Sequence, residues 1–383
     1  MVIGNPLGLE GTVSDGIVSA VRDIPAFGNI IQLSAPISAG SSGSPVVDMQ
    51  GQVIGIATFQ ITEGQNLNFA IPAQRAANLK PGKPKTLTEW QTPAVDERLT
   101  SAEALCVRGL IYLWKEDYKQ ALPFFEKAAE KNPQYAGAWF FIGYCNGQLG
   151  RYAEAIEAYK QALRIKPDDT EAHNNLGGAY VKLGRYAEAI EAYKQALRIK
   201  PDFAEAHYNL GVTYGILGRF AEAIEAYKQA IRIKPDDAET HYFLGAAYAK
   251  LGRDNEAIAA CEQAIRIKPD YAEAHGLLGA AYAKLERYAE AIEAFKKAIR
   301  IEPDLAKAHY GLGLTYSILG RYAEEIEAYK QAIRIKPDYA KAHFNLGLAY
   351  LIIGDRGSAL EEYKILKDLD KDFANKLFNL IYK

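Results

Sequence analysis

Residues 204–237 read AEAHYNLGVTYGILGRFAEAIEAYKQAIRIKPDD, and this stretch decides the fold. His207, Leu210, Gly211 and Tyr214 fall at i, i+3, i+4 and i+7, one face of a helix. Ala223, Tyr227, Ala230 and Ile231 make a second stripe of the same kind. Gly218 lies between them and predicts the end of the first helix, because the left-handed conformation there costs glycine little. Pro235 predicts the end of the second, since proline inside a helix loses a hydrogen bond and clashes with the preceding turn. The bare Gly211 predicts that the second helix approaches the first closely.

The same stretch recurs on both sides. Prolines stand at 133, 167, 201, 235, 269, 303 and 337, always 34 residues apart. A fixed period of this length is the signature of stacked helix pairs. Eight units fill residues 102–373. Position 8 is glycine in all eight units, and position 11 is tyrosine in seven, with Asn146 the exception. Position 20 is alanine in all but one, which has Glu325, and position 27 in all but one, which has Leu366. One pair cannot bury both its faces, so neighbours must stack and share a core. Residues 374–383 continue with Leu377, Phe378 and Ile381, and read as a capping helix over the last unit.

Together these columns resemble the tetratricopeptide repeat family. The resemblance implies a mainly α chain, a right-handed superhelical α-solenoid. It implies that positions 2, 5, 6, 9 and 13 of each first helix face a groove that holds a peptide or protein segment. Asn174, Tyr208, Tyr242, Tyr310 and Phe344 occupy position 5, and Asn175, Asn209 and Asn345 occupy position 6. Aromatic rings give contact area at low entropic cost, and asparagine offers a donor and an acceptor to a peptide backbone. The asparagines at position 6 resemble part of the ladder in the repeats of protein O-linked N-acetylglucosamine transferases. All six histidines fall at position 4, which reads as a packing role.

Residues 1–76 lack this period. Short segments at 2–4, 11–21, 30–34, 45–48, 52–58 and 66–71 are rich in Val and Ile and read as strands. Met49-Gln50-Gly51 predicts a tight hairpin between two of them. Gly40-Ser41-Ser42-Gly43-Ser44-Pro45 then resembles the nucleophile loop of trypsin-like serine peptidases. IGNPLG at 3–8, VSDGIVSA at 13–20 and NFAIP at 68–72 resemble the high-temperature-requirement branch of that family. The resemblance implies a small, truncated all-β half-barrel over residues 1–77, the second barrel of a trypsin-like domain. It implies Ser42 as nucleophile and the backbone N–H of Gly40 in the oxyanion hole. The apolar Pro36, six before Ser42, argues against preference for Lys or Arg. No histidine precedes Ser42. A serine hydroxyl needs a base, so the chain as written is expected not to turn over peptides.

Residues 78–101, with Pro81, Pro84 and Pro93, read as a semi-stiff linker, after a short helix over 72–79. The formal net charge of −2 gives no basic footprint for nucleic acid or an anionic membrane. No apolar run suits a transmembrane helix and the start does not read as a signal peptide, so a soluble chain is expected. Cys106, Cys145 and Cys261 are sparse and odd in number, which argues against a disulfide framework. No Cys/His cluster has metal spacing, and no cofactor is expected. The expected function is a protein-interaction scaffold with a vestigial peptidase barrel. The alternative is a serine endopeptidase whose repeats recruit substrate, active only if a barrel carrying His and Asp is supplied.

Overall fold

The computed structural model describes residues 101–382 in full and, within the first hundred residues, the backbone of seven strands. The chain divides into two compact units, Met1–Ala179 and Tyr180–Lys383.

In the first unit the strands are β1 Val2–Gly4, β2 Thr12–Ser14, β3 Val18–Ile24, β4 Gly28–Leu33, β5 Pro45–Val47, β6 Val53–Ile61 and β7 Leu67–Pro72. They form one sheet in the order β2-β1-β5-β6-β7-β4-β3, with every neighbouring pair antiparallel. The single strand expected over 11–21 is two strands, β2 and β3, at opposite edges of the sheet. The sequence signal for the break is Asp15-Gly16, a pair that favours turns. Val47 pairs with Val53 across the expected hairpin. Ser42, Gly40, the expected helix at 72–79 and the linker lie outside the described residues.

Helices begin where the repeat predicts. In the first unit α1 is Ala102–Trp114, α2 Tyr118–Lys131, α3 Ala136–Gln148 and α4 Tyr152–Ile165, and α5 Thr170–Lys182 begins there. The Ser101 hydroxyl accepts from the Ala104 N–H at 3.1 Å and starts the array. In the second unit the pairs are α6 Tyr186–Ile199 after α5, then α7 Ala204–Ile216 with α8 Phe220–Ile233, and α9 Ala238–Lys250 with α10 Asp254–Ile267. They continue as α11 Ala272–Lys284 with α12 Tyr288–Ile301, α13 Ala306–Ile318 with α14 Tyr322–Ile335, and α15 Ala340–Ile352 with α16 Arg356–Leu369.

The glycine column has a defined partner. A Cβ at Gly211 would stand 2.6 Å from the Tyr227 ring, and one at Gly109 would stand 2.7 Å from Phe125. The position-8 glycine therefore admits the position-24 ring of the paired helix. Position 15 ends each first helix with positive φ, for example +71° at Gly218. Glu116 and Glu286 adopt the same conformation at φ 58° and 59°, without glycine's freedom. The position-20 alanines, Ala121 through Ala291 and Ala359, are each 0% exposed. In the second unit the buried tyrosines at position 11 lie under a position-16 arginine, as with Arg219 at 4.5 Å from the Tyr214 ring.

The closing helix, α17, runs Lys371–Ile381 and starts three residues before the expected cap. Its start is set by Asp370, whose carboxylate accepts from the Asp372 and Phe373 N–H groups at 3.0 Å. Ala374, Leu377 and Ile381 pack on Ala359 and Leu366. Leu377 also fills the space above Gly347 that a position-24 ring takes elsewhere. The three cysteines are free and buried, and burial pushes each thiol up to about 12.

Candidate peptide-binding groove

The histidine column is explained first, because it bears on chemistry. Each histidine Nε2 donates to the carbonyl of the proline six residues earlier. The distances run from 2.9 Å for His173 and Pro167 to 3.1 Å for His275 and Pro269. A carbonyl only accepts, so this bond fixes which nitrogen carries the proton. Trp139 makes the same bond to Pro133 at 3.0 Å. The column clamps the inter-unit turn to the next helix. His343 adds a 2.6 Å bond from Nδ1 to Glu362. Burial opposes its charge, but the Glu362 and Pro337 acceptors outweigh that and raise its pKa above the ordinary value. The recurring bond to proline gives the six rings a structural role at the turn between repeats.

In the first unit, Asn174 is 3% exposed. It was expected to face a ligand, but this short amide stays enclosed among packed helix faces. Asn175 hydrogen-bonds the Tyr159 hydroxyl.

In the second unit the position-5 rings are half-buried and form a row. The Tyr208 hydroxyl donates to Glu239 at 2.8 Å, and burial together with that carboxylate raises the Tyr208 pKa. Asn209 sits beside it, also half-buried, and its backbone carbonyl accepts from the Thr213 hydroxyl at 2.8 Å. Tyr242 packs on Tyr271, ring centroids 5.2 Å apart, and Tyr310 on Tyr339 at 5.0 Å. Asn345 donates to the Tyr310 hydroxyl at 3.1 Å. Phe344 stacks on Phe373 at 4.9 Å. Because α17 brings Phe373 over it, Phe344 belongs to the capping core more than to an open surface.

A groove of about 840 Å³ opens across α9, α11 and α13. Tyr242 and Tyr310 both line it, with Leu277, Leu305 and Leu314. Its lining takes in positions 2, 5, 6, 9 and 13, the set that the resemblance implied. The expected residues Tyr208, Asn209, Phe344 and Asn345 are not part of its lining. Sequence reasoning missed Gly276 and Gly311, which also line the groove. The available signal was their lack of a side chain at positions 5 and 6 of adjoining units.

Helix pairs at a 34-residue period, a glycine–aromatic contact within the pair and a capping helix define the array. The tetratricopeptide repeat models match residues 102–135 and, in six overlapping stretches, 147–354. The chain belongs to the tetratricopeptide repeat family. As a fold, the tetratricopeptide array is similar to a solved structure of the APC/C hetero-tetramer Cut9–Hcn1. The TM-score is 0.51 and the identity 18%, covering 77% of this chain and 57% of that one. Ahead of the repeats, residues 1–56 match the trypsin-like peptidase domain. HhoB of Synechocystis sp., a protein assigned to the serine proteases, is 43% identical over 86 residues, 21% of either chain. Serine protease HTRA3 of Homo sapiens is 36% identical over 107 residues, 26% of this chain and 23% of its own. The chain thus spans about a fifth of the length of the curated relatives it matches. Among the described residues, no helix is long and apolar enough to cross a membrane, and no three potential ligands gather to hold a metal.

Proposed function

We propose that this chain is a protein-interaction scaffold that binds an extended peptide or protein segment along the groove of α9, α11 and α13. The observation that supports this most is the groove itself. It is lined by half-exposed rings on rigid helices, where aromatic contact costs little ordering entropy. Tyr242 and Tyr310 supply apolar contact, and lysines and carboxylates stand at its edges.

The test uses the full chain as bait and the partner it captures. Truncating both rings, Tyr242→Ala with Tyr310→Ala, is expected to weaken that partner about tenfold or more, since buried aromatic anchors commonly cost over ~1 kcal/mol each. Circular dichroism should show unchanged helicity. Unaltered affinity in a folded double variant places the site elsewhere.

For residues 1–77 we propose a peptidase-derived segment in which Ser42 descends from the nucleophile and Gly40 from the oxyanion hole. The trypsin-like match over residues 1–56 favours this reading. All six histidines of the chain stand in the repeats, each bonded to a proline carbonyl, and none lies in the peptidase-like residues 1–77 to activate Ser42. The chain is therefore expected to resist rapid labelling by a fluorophosphonate probe. Fast labelling that Ser42→Ala abolishes would sink the idea of an inactive segment. It would favour a serine endopeptidase with substrate-recruiting repeats, its His and Asp supplied from elsewhere.

A further inference from the structure

The row of rings at position 5 is interrupted once within the groove. From Tyr242 onward each position-5 ring packs on the residue 29 positions later, at the end of its own repeat. Tyr242 meets Tyr271, Tyr310 meets Tyr339 and Phe344 meets Phe373, with centroids between 4.9 and 5.2 Å apart. In the unit between Tyr242 and Tyr310 the same pair is Gly276 and Leu305. A Cβ at Gly276 would find only Leu305 Cδ2, at 3.8 Å. Two rings are thus missing from a row that is filled on both sides.

The next helix deepens the gap. Gly311 leaves room for the Phe295 ring, whose Cζ would stand 2.5 Å from a Cβ placed there. Phe295 is 3% exposed and lines the floor with Leu277, Leu305 and Leu314. The result is an apolar recess walled by Tyr242 and Tyr310.

Its rim is charged unequally. Lys250, Lys284, Lys307 and Lys336 face Asp254 and Glu273. Lys284 is paired with Asp254 at 3.2 Å, and Lys336 lies 5.5 Å from the centre of the Tyr339 ring. Among the described residues Lys250 and Lys307 have no ion-pair partner. Helices α7, α9 and α11 carry an acid in the first turn, Glu205, Glu239 and Glu273, whereas α13 carries none and has Lys307 instead. The positive end of the α13 dipole therefore adds to Lys307. Desolvated apolar walls favour a large apolar side chain, and the surplus of positive charge favours carboxylates beside it.

Building on the groove reading, we propose that the recess at Gly276 and Gly311 is its specificity pocket. It takes one aromatic side chain from an extended segment of a partner protein, and Lys307 and Lys250 pair with the Asp or Glu residues that flank this side chain.

The test uses the full chain and three fluorescein-labelled nonapeptides read by anisotropy. The first is Gly-Ser-Glu-Glu-Trp-Glu-Glu-Ser-Gly. The second has Ala in place of Trp, and the third has Lys in place of every Glu. The first is expected to bind at least tenfold more tightly than either of the others. Gly276→Phe, which restores the ring found at this position in neighbouring units, should cost the first peptide at least tenfold. Lys307→Glu, which extends the Glu205, Glu239 and Glu273 pattern, should weaken the first peptide and improve the third. Equal binding of all three peptides, or no binding of the first at millimolar concentration, overturns the pocket. So does an unchanged affinity in Gly276→Phe. A captured partner that is lost from the double tyrosine variant but fully retained by Gly276→Phe leaves the groove reading standing and removes the pocket alone.

Discussion

Replacing Glu325 by alanine is expected to stabilise the array by about 2 kcal/mol at pH 8, the reverse of the usual sign for a buried substitution. Glu325 sits on α14 at position 20, where the seven other units place an alanine that is 0% exposed. It is itself only 2% exposed, and its Oε2 has no hydrogen-bond partner among the described residues. Burial raises the carboxyl pKa above the ordinary value, and a hydrogen bond from Ser317 opposes that only in part. A buried acceptor left unsatisfied costs ~1–3 kcal/mol, while alanine is also the better helix former.

The sign with pH follows from the direction of the shift. A carboxyl whose folded pKa is raised binds its proton more tightly in the native state. Its stabilising contribution is present below the unfolded value, near 4.5, and is lost as pH rises through the folded one. The wild-type chain should therefore lose stability between pH 5 and pH 8 relative to Glu325→Ala. Urea midpoints at the two pH values check this. Hydrogen exchange along Tyr322–Ile335 localises the change, since neighbouring repeats unfold as partly independent units. A midpoint at pH 8 that does not rise in Glu325→Ala removes the explanation.

Gly313→Ala is expected to cost about 2 kcal/mol, although glycine-to-alanine inside a helix ordinarily helps by up to ~1 kcal/mol. The added Cβ would lie 2.6 Å from Cε1 of Tyr329, a ring only 1% exposed. That ring also packs on Tyr310, at 5.8 Å between centroids, and its burial leaves it little room to move. In a Tyr329→Leu background the same change should cost less than ~1 kcal/mol, because the obstructing atoms are gone. Gly245 shows that the array accepts a small residue in this place, since it faces Cys261. Chemical denaturation of the four variants of this cycle provides the measurement. Equal cost of Gly313→Ala with and without the Tyr329 ring would mean that the glycine column serves another purpose.

Both positions belong to columns that were visible in the sequence, and so was most of the helical fold. Ala102 as the start of the array, Gly218 as a helix end and Gly211 as a point of close approach all follow from contacts made inside one unit. The single strand expected over 11–21 shows the opposite case. Its residues alternate in a strand-like way, but their partners are set by the sheet, which sends β2 and β3 to opposite edges. Asn174 and Phe344 are expected in the groove from their position in the repeat and their side-chain chemistry. Burial encloses the first, and α17 covers the second with Phe373.

By itself the sequence determined the helix pairs, their period and the residues that hold each pair together. These depend on interactions three, four or sixteen residues apart, and repetition prints them eight times. The tertiary structure decided where the surface opens. Whether a position-5 side chain is exposed or stacked depends on the residue 29 places later and on the next first helix. The recess between Tyr242 and Tyr310 is a difference between neighbouring units, Gly276 and Leu305 where two rings stand on either side. Only packing those units against one another turns that missing volume into a site.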